Sequence, residues 1–215
     1  MRVGLLGGTF NPVHLAHLRT AEEVREHCTL DRIDFVLSAV PPHKDARDLA
    51  PVEARRAMLA LALAGNPVFA LNTLELERVG RSYSVDTVRA AQTREPDAEL
   101  TFILGADAFA EIASWKDFEA LFALCNVCVI SRPGAHADHP PIAVENAFCY
   151  DPTRGVYRHR SGNSLSFLPV TPLMISASDI RARRQDGRSI CYLVPPPVHE
   201  YILAHDLYRG RPAAR

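Results

Sequence analysis

Short apolar runs alternate along most of the chain with stretches whose apolar residues return at helical spacing, and glycine or proline marks the joints. Val3-Gly4-Leu5-Leu6 is the first run and ends at Gly7-Gly8; beyond Pro12, the residues Leu15, Leu18, Ala21 and Val24 recur at three-residue steps. This segment reads as strand, glycine turn, helix. A second strand is predicted over 33–37 and a second helix over 52–64, stopped by Gly65-Asn66-Pro67. Residues 68–71 and 100–104 read as buried strands on either side of a helix at about 84–93, and 126–131 as a further strand before Arg132-Pro133-Gly134. Repeated βα units predict an α/β fold with a doubly wound parallel sheet, because each right-handed crossover lays its helix on the sheet and returns the chain in the same direction.

From 135 to about 164 the periodicity fails among Pro140-Pro141, Asp151-Pro152 and several histidines, so this stretch is predicted as an irregular surface excursion. A strand over 165–170 follows. A short helix over 176–185 closed by Gly187 and a last helix over 198–205 form a small C-terminal helical part, about 176–215. The whole of 1–215 is expected to be a single domain.

A chain of 215 residues buries roughly 70% of its unfolded surface, enough for one core without staples. The 47% apolar and 23% charged composition is that of a globular domain, and no apolar run approaches the roughly 20 residues that span a bilayer. Met1-Arg2 leads within six residues to Gly7-Gly8 rather than to a secretory apolar stretch, so a soluble, cytoplasmic protein is expected. With 24 basic and 25 acidic residues there is no overall field for nucleic acid or a membrane surface. Neither is expected as a partner, and any bound anion must be held locally. The five cysteines are odd in number and lack paired CxxC spacing, which fits reduced thiols. Cys125-Asn126-Val127-Cys128 has the spacing of a redox pair but lies inside the apolar stretch 121–130, so two core thiols are expected there.

In an open parallel sheet, ligands bind at the carboxyl ends of the strands, which is where Gly7 and Gly8 sit. Glycines let a backbone approach phosphate closely, and the N–H groups opening the next helix carry partial positive charge. The dinucleotide GxGxxG pattern is absent, since Gly4 lies in the strand and no third glycine opens the helix. His14 and His17, three apart at the helix start, project from one face toward that crevice. As satisfied histidines they would be ordinary singly; as a pair after Gly-Gly-Thr they suit donation of N–H bonds to phosphate oxygens. Zinc is disfavoured because the remaining ligands of a paired-histidine site are missing nearby.

The segment Gly7-Gly8-Thr9-Phe10-Asn11-Pro12-Val13-His14-Leu15-Ala16-His17-Leu18 resembles the signature of the nucleotidyltransferase superfamily with a His-x-x-His pair, and more closely that of the bacterial nicotinate mononucleotide adenylyltransferases. Two positions depart from it: Asn11 stands where Asp is usual, and Ala16 where Gly is common. The resemblance implies catalytic roles for His14 and His17 and ATP contacts from Gly7, Gly8, Thr9 and Phe10.

Ile175-Ser176-Ala177-Ser178-Asp179-Ile180-Arg181 has the form of a capping box, with Ser176 at the N-cap and Asp179 three positions on. It resembles the superfamily's Ile-Ser-x-Thr-x-x-Arg motif with Ser178 in place of Thr. The resemblance implies that Ile175, Ser176 and Ser178 belong to the ATP site and that Arg181 neutralises the departing pyrophosphate, a task suited to a guanidinium fork.

Further matches to the nicotinate branch are Pro41-Pro42-His43-Lys44, Arg81 through Thr87, Leu104-Gly105-Ala106-Asp107, Ser114-Trp115-Lys116 and the end from Leu193-Val194-Pro195 to Leu207-Tyr208-Arg209. Lys44, on a proline-rich loop, could hold a mononucleotide phosphate, and the lone Trp115 could stack on a flat heteroaromatic ring. The resemblance further implies a carboxylate site at the backbone of Tyr83 and Ser84, and adenosine contacts from Gly105 and Asp107. Adenylyl transfer from ATP to nicotinate mononucleotide is therefore expected, with Mg²⁺ held mainly by phosphates and no protein metal ligands. The alternatives are a sister transferase acting on nicotinamide mononucleotide, phosphopantetheine or CTP, and a non-catalytic nucleotide-binding module. Oligomeric state is left open.

Overall fold

The computed structural model describes residues 1–39, 49–78, 80–131 and 138–210. Strands β1 (Arg2–Gly8), β2 (Arg32–Leu37), β3 (Phe69–Asn72), β4 (Glu99–Gly105) and β5 (Asn126–Ser131) alternate with helices α1 (Leu15–His27), α2 (Val52–Leu63) and α3 (Ser84–Arg94) and the short helices α4 (Ala106–Ala110) and α5 (Phe118–Leu124). There follow α6 (Ile142–Glu145), β6 (Phe148–Asp151), β7 (Val156–His159), β8 (Ser164–Pro169), α7 (Ala177–Gln185) and α8 (Pro196–Ala204).

One sheet runs β3-β2-β1-β4-β5-β8-β7-β6. Its first six members pair in parallel, and the order reverses direction beside β1, between β2 and β4. Side chains of a strand point alternately to the two faces, so the continuous apolar runs feed two cores. Leu6, Ile33, Phe35, Leu37 and Ile103 pack under α1, α2 and α8, whereas Val3, Leu5, Val36, Phe102 and Leu104 pack under α3, α4 and α5. Gly4 lies on the first of these faces, where an added Cβ would come within 2.7 Å of Leu30 and 2.8 Å of Ile33. The strand can tolerate no side chain there.

Two features differ from the sequence-based expectation. The sheet is mixed rather than purely parallel, and much of the supposed excursion 135–164 builds it: β6 and β7 form a hairpin that pairs antiparallel with β8. The hairpin is an edge with mostly half-exposed or exposed positions, so it carries no strong apolar alternation for a sequence reading to detect. Within it, His159 is buried against Phe122 and Phe148. Among the described residues no helix is long and apolar enough to cross a membrane.

The ends of β1 and β2 are fixed by Arg55, on α2. Its side chain is 2% exposed and donates to four main-chain carbonyls: Ala50 at 3.1 Å, Thr9 at 3.0 Å, Ser38 at 2.7 Å and Ala39 at 3.0 Å. Burial pushes its pKa below the ordinary arginine value. Replacement by methionine keeps the stem but leaves those carbonyls without their donor. Arg55→Met should therefore lower unfolding stability by about 2–4 kcal/mol, read as a lower urea midpoint at unchanged slope. An unchanged midpoint would show that the clamp does not hold the strand ends.

Candidate active site

Where the strand order reverses, the carboxyl ends of β1 and β4 diverge and leave a crevice. A cavity of about 230 Å³ occupies it, lined by Leu6, His14, His17, Thr20, Gly105 and Asp107 among others. Gly105 is the N-cap of α4 and Asp107 lies in its first turn, exposed. The N-terminal histidines and the Gly105–Asp107 turn, separated by some ninety residues of chain, thus face one space.

His14 is the N-cap of α1 and is 3% exposed. The His17 ring stacks on it with centroids 3.6 Å apart, and Phe10 meets the His17 ring edge-on at 5.2 Å. The Nδ1 of His17 accepts the main-chain N–H of His14 at 3.2 Å. A nitrogen that accepts carries no proton, so a neutral His17 ring carries its proton on Nε2, as a donor. Rings held by stacking and capping are pre-oriented, which is what stabilising charge on a phosphoryl group demands. Phe10 is 1% exposed and adopts a left-handed φ of 44°, folding its ring back over Gly8. A Cβ on Gly8 would lie 2.9 Å from that ring, which explains the glycine there. The side chain of Phe10 is thus a core group that orients His17, and any contact to a nucleotide at this position would come from its backbone.

The turn 9–13 is held from behind by three parts of the chain. Arg55 takes the Thr9 carbonyl, and Arg181 Nη1 donates to the Asn11 carbonyl at 2.9 Å. The Asn11 side-chain oxygen accepts from Ala50 N–H at 3.0 Å and from the Tyr208 hydroxyl at 2.8 Å. Asn11 is 2% exposed, and its peptide bond to Pro12 is cis. Helix α1 is further tied down by the Leu15 N–H, which donates to the Leu193 carbonyl ahead of α8.

Helix α7 begins as the sequence suggests, with Ser176 Oγ accepting from Asp179 N–H at 3.1 Å and lying 3.0 Å from Ser178 Oγ. Arg181 is half-buried on this helix. Ile175, Ser176, Ser178 and Arg181 do not line the cavity described above, yet the Arg181–Asn11 bond joins α7 directly to the N-terminal turn. On the other side of the sheet, Tyr83 is the N-cap of α3, with Ser84 its first residue. Lys116 Nζ lies 4.8 Å over the Tyr83 ring and 2.9 Å from Asp86, in the first turn of the same helix. Its neighbour Trp115 is half-buried and meets Phe102 edge-on at 6.3 Å. The structure thus brings Lys116, next to Trp115, to the helix end that Tyr83 and Ser84 open, while Lys44 lies outside the described residues.

Sequence reasoning gave no part to Thr20, Thr171 or Arg55, and placed Tyr208 and Lys116 only within matching segments, without a role of their own. Thr20 is one helical turn beyond His17 and could have been found by that spacing; Thr171 enters the crevice from the loop after β8, with no local signal. Burial pushes the Tyr208 phenol above the ordinary tyrosine value of 10, although Arg181 and Arg55 pull it down. A neutral phenol favoured in the folded state contributes stability that is complete below pH 10 and lost as pH rises beyond it. Tyr208→Phe should cost about 1 kcal/mol near pH 8 and make the alkaline loss of stability shallower. An equally steep alkaline limb in urea titrations of the variant would refute this.

Comparison with known proteins agrees with this architecture. The family model described as cytidylyltransferase-like matches residues 5–183. A protein of Geobacter sulfurreducens named "Probable nicotinate-nucleotide adenylyltransferase" is 49% identical over 97% of this chain and 98% of its own. A protein of the same name from Syntrophotalea carbinolica is 47% identical over 98% of this chain and 99% of its own. Among solved structures, a Plasmodium falciparum nicotinic acid mononucleotide adenylyltransferase complexed with NaAD superposes with a TM-score of 0.71, covering 96% of this chain and 97% of that one at 18% identity. That likeness concerns the fold; the sequence matches, which run through the crevice, the capped helix α7 and the Trp115 segment, place the chain in the cytidylyltransferase-like family, among the nicotinate-nucleotide adenylyltransferases.

Proposed function

We propose that this protein transfers the adenylyl group of ATP to nicotinate mononucleotide, giving nicotinate adenine dinucleotide and pyrophosphate. The observation that carries the proposal is the stacked His14–His17 pair at the β1/β4 switch point, facing Gly105 and Asp107 across one crevice. A 5′-phosphate oxygen of the mononucleotide attacks the α-phosphorus in line; the bond from that phosphorus to the bridging oxygen breaks, and pyrophosphate leaves with the electron pair. No covalent intermediate is required. The Nε2–H of His17, His14, the turn after Gly7 and Gly8, and the backbone of Thr9 and Phe10 stabilise the charge that grows on the phosphoryl oxygens. Ile175, Ser176 and Ser178 at the start of α7 take the outer phosphates, and Arg181, already bonded to Asn11, uses its remaining N–H groups on the leaving pyrophosphate. Gly105 and Asp107 contact the adenosine part, and Lys44 the mononucleotide phosphate.

Mg²⁺ is expected to enter with ATP. The ion would be held mainly by phosphate oxygens and water, the hard donors it takes, and the exposed Asp107 carboxylate at the crevice adds favourable charge without being needed as a ligand. When bound it would neutralise phosphate charge; the alignment of the reacting groups is left to the residues above.

On the acceptor side, the pyridine ring stacks on Trp115 and its carboxylate takes the N–H groups that open α3 at Ser84, next to Tyr83. A carboxamide would turn its own NH₂ toward those donors and leave them unpaired. Lys116, above Tyr83, adds a cation beside this helix end, and its ion pair with Asp86 is exposed enough to contribute little to folding.

Pyrophosphate release from ATP, compared with nicotinate mononucleotide, its amide and phosphopantetheine, tests the assignment: turnover is expected with the first and should be far weaker with the others. Equal turnover with phosphopantetheine would overturn the acceptor, and no release with any would overturn the enzyme reading. His17→Ala should lower kcat by about 10²–10³ with ATP binding nearly unchanged, and a fall below tenfold would remove His17 from the chemistry. Lys116→Gln should lower kcat/KM for the acid by about two- to fivefold and leave the amide unaffected. A parallel fall for both would assign Lys116 a purely structural part.

A further inference from the structure

The CxxC spacing of Cys125 and Cys128 pairs residues that the fold separates. Cys125 belongs to the core under α3 and α5, and Cys128 to the opposite core under α1 and α2. Burial pushes the Cys125 thiol up to about 12, which makes it unreactive. The neighbour of Cys128 is instead Cys28, exactly one hundred residues earlier, which caps the C-terminal end of α1 and packs against the same core. Beside both stands Ser166, the β8 partner of Cys128 in the sheet register.

Cys128 is closed off from solvent, whereas Cys28 is half-buried and opens on a second cavity of about 350 Å³. This cavity lies at the amino ends of the strands, away from the crevice that holds His14 and His17. Arg2, Arg154, His27 and Glu99 line it together with Cys28 and Ser166. A thiol reached through an opening that carries two guanidinium groups against one carboxylate is in surroundings that favour the reactive thiolate.

We propose that Cys28 is a peroxide-reactive thiol and that Cys128 is its resolving partner, the two closing a disulfide between the end of α1 and β5. The Cys28 thiolate attacks one oxygen of hydrogen peroxide; the O–O bond breaks, hydroxide leaves, and Cys28 becomes a sulfenic acid. The Cys128 sulfur then attacks the Cys28 sulfur, the S–O bond breaks, and the Cys128 proton departs with the hydroxyl as water. Two electrons pass from the sulfur pair to peroxide, which is the oxidant required. The electrostatics support this order of events. The Cys128 thiol and the Ser166 hydroxyl hold the Cys28 pKa below the ordinary thiol value against the effect of burial, and the Cys28 contact together with burial pushes Cys128 up. Access sets the roles: the Cys28 sulfur, which opens on the cavity, is the nucleophile, and the closed-off Cys128 is its partner. Closure would act on the helix whose opposite end carries His14 and His17.

The test is non-reducing peptide mapping of the full chain after treatment with one equivalent of hydrogen peroxide. A cross-linked peptide pair joining Cys28 to Cys128, two hydrogens lighter than its parts, is expected at least tenfold ahead of oxidation at the exposed Cys149 and Cys191. In Cys128→Ser, dimedone should trap a sulfenic acid at Cys28. Preferential oxidation of Cys149 or Cys191, with Cys28 and Cys128 still reduced, would overturn the proposal. So would a Cys28 sulfenic acid that persists in the unsubstituted protein without joining Cys128. The mapping of the unsubstituted chain needs no variant to fold, so the outcome does not depend on how well Cys128→Ser tolerates its buried position.

Discussion

The Arg55 guanidinium is the constraint on which the crevice end of the sheet depends. Four carbonyls from the turns after β1 and β2 and from the approach to α2 converge on one buried cation. Each of those segments leaves the regular hydrogen-bond ladder just there, so each has a carbonyl to satisfy, and a planar group with donors on all sides satisfies them together. Hydrogen bonds to a charged group are stronger than neutral ones, but taking the charge out of water is costly. The depressed pKa of Arg55 records that cost. What the arrangement secures is geometry: the paths of residues 9 and 38–39 become fixed relative to one another.

That geometry has a direction. In a trans peptide the C=O and the next N–H point oppositely, so drawing the Thr9 carbonyl inward toward Arg55 turns the Phe10 N–H the other way. Arg181 anchors the Asn11 carbonyl from α7, where the proline that follows has no N–H to turn, and Tyr208 with Ala50 fixes the Asn11 side chain. The His14–His17 stack then rests on a turn with little freedom to relax, with Phe10 wedged beneath it. A site that acts by placing donors around phosphate needs rigidity of this kind more than it needs reactive groups.

The parts of this architecture visible in the sequence are those that repeat. β1 and α1 announce themselves because Leu5-Leu6 and the series Leu15 to Val24 carry the two periodicities, and Ser176 because an N-cap is a local event. The βα alternation sufficed for the parallel region, whereas the β6–β7 hairpin was hidden by the polarity of an edge and α4 by its five residues. In the site, His14 and His17 were legible because they are three apart. Arg55 was not, since a helix arginine is usually solvated and nothing adjacent reveals that carbonyls from elsewhere surround it. Tyr208 was invisible as a partner of Asn11 for the same reason, and the real neighbour of Cys128 was concealed by a closer cysteine on the wrong face.

The bond from Tyr208 to Asn11 spans 197 positions, and that from Arg181 to Asn11 spans 170. Translation proceeds from the amino end, so the turn 9–13 is made well before Arg181 and Tyr208, which support it. Contacts so distant along the chain are slow to form, because the loop they close must be ordered before they repay it. Nascent chains ending before residue 181 can therefore contain every residue of the histidine turn and yet lack its backing, so the turn should reach its rigid form only after residues 181 to 208 have been made, as a late, cooperative event.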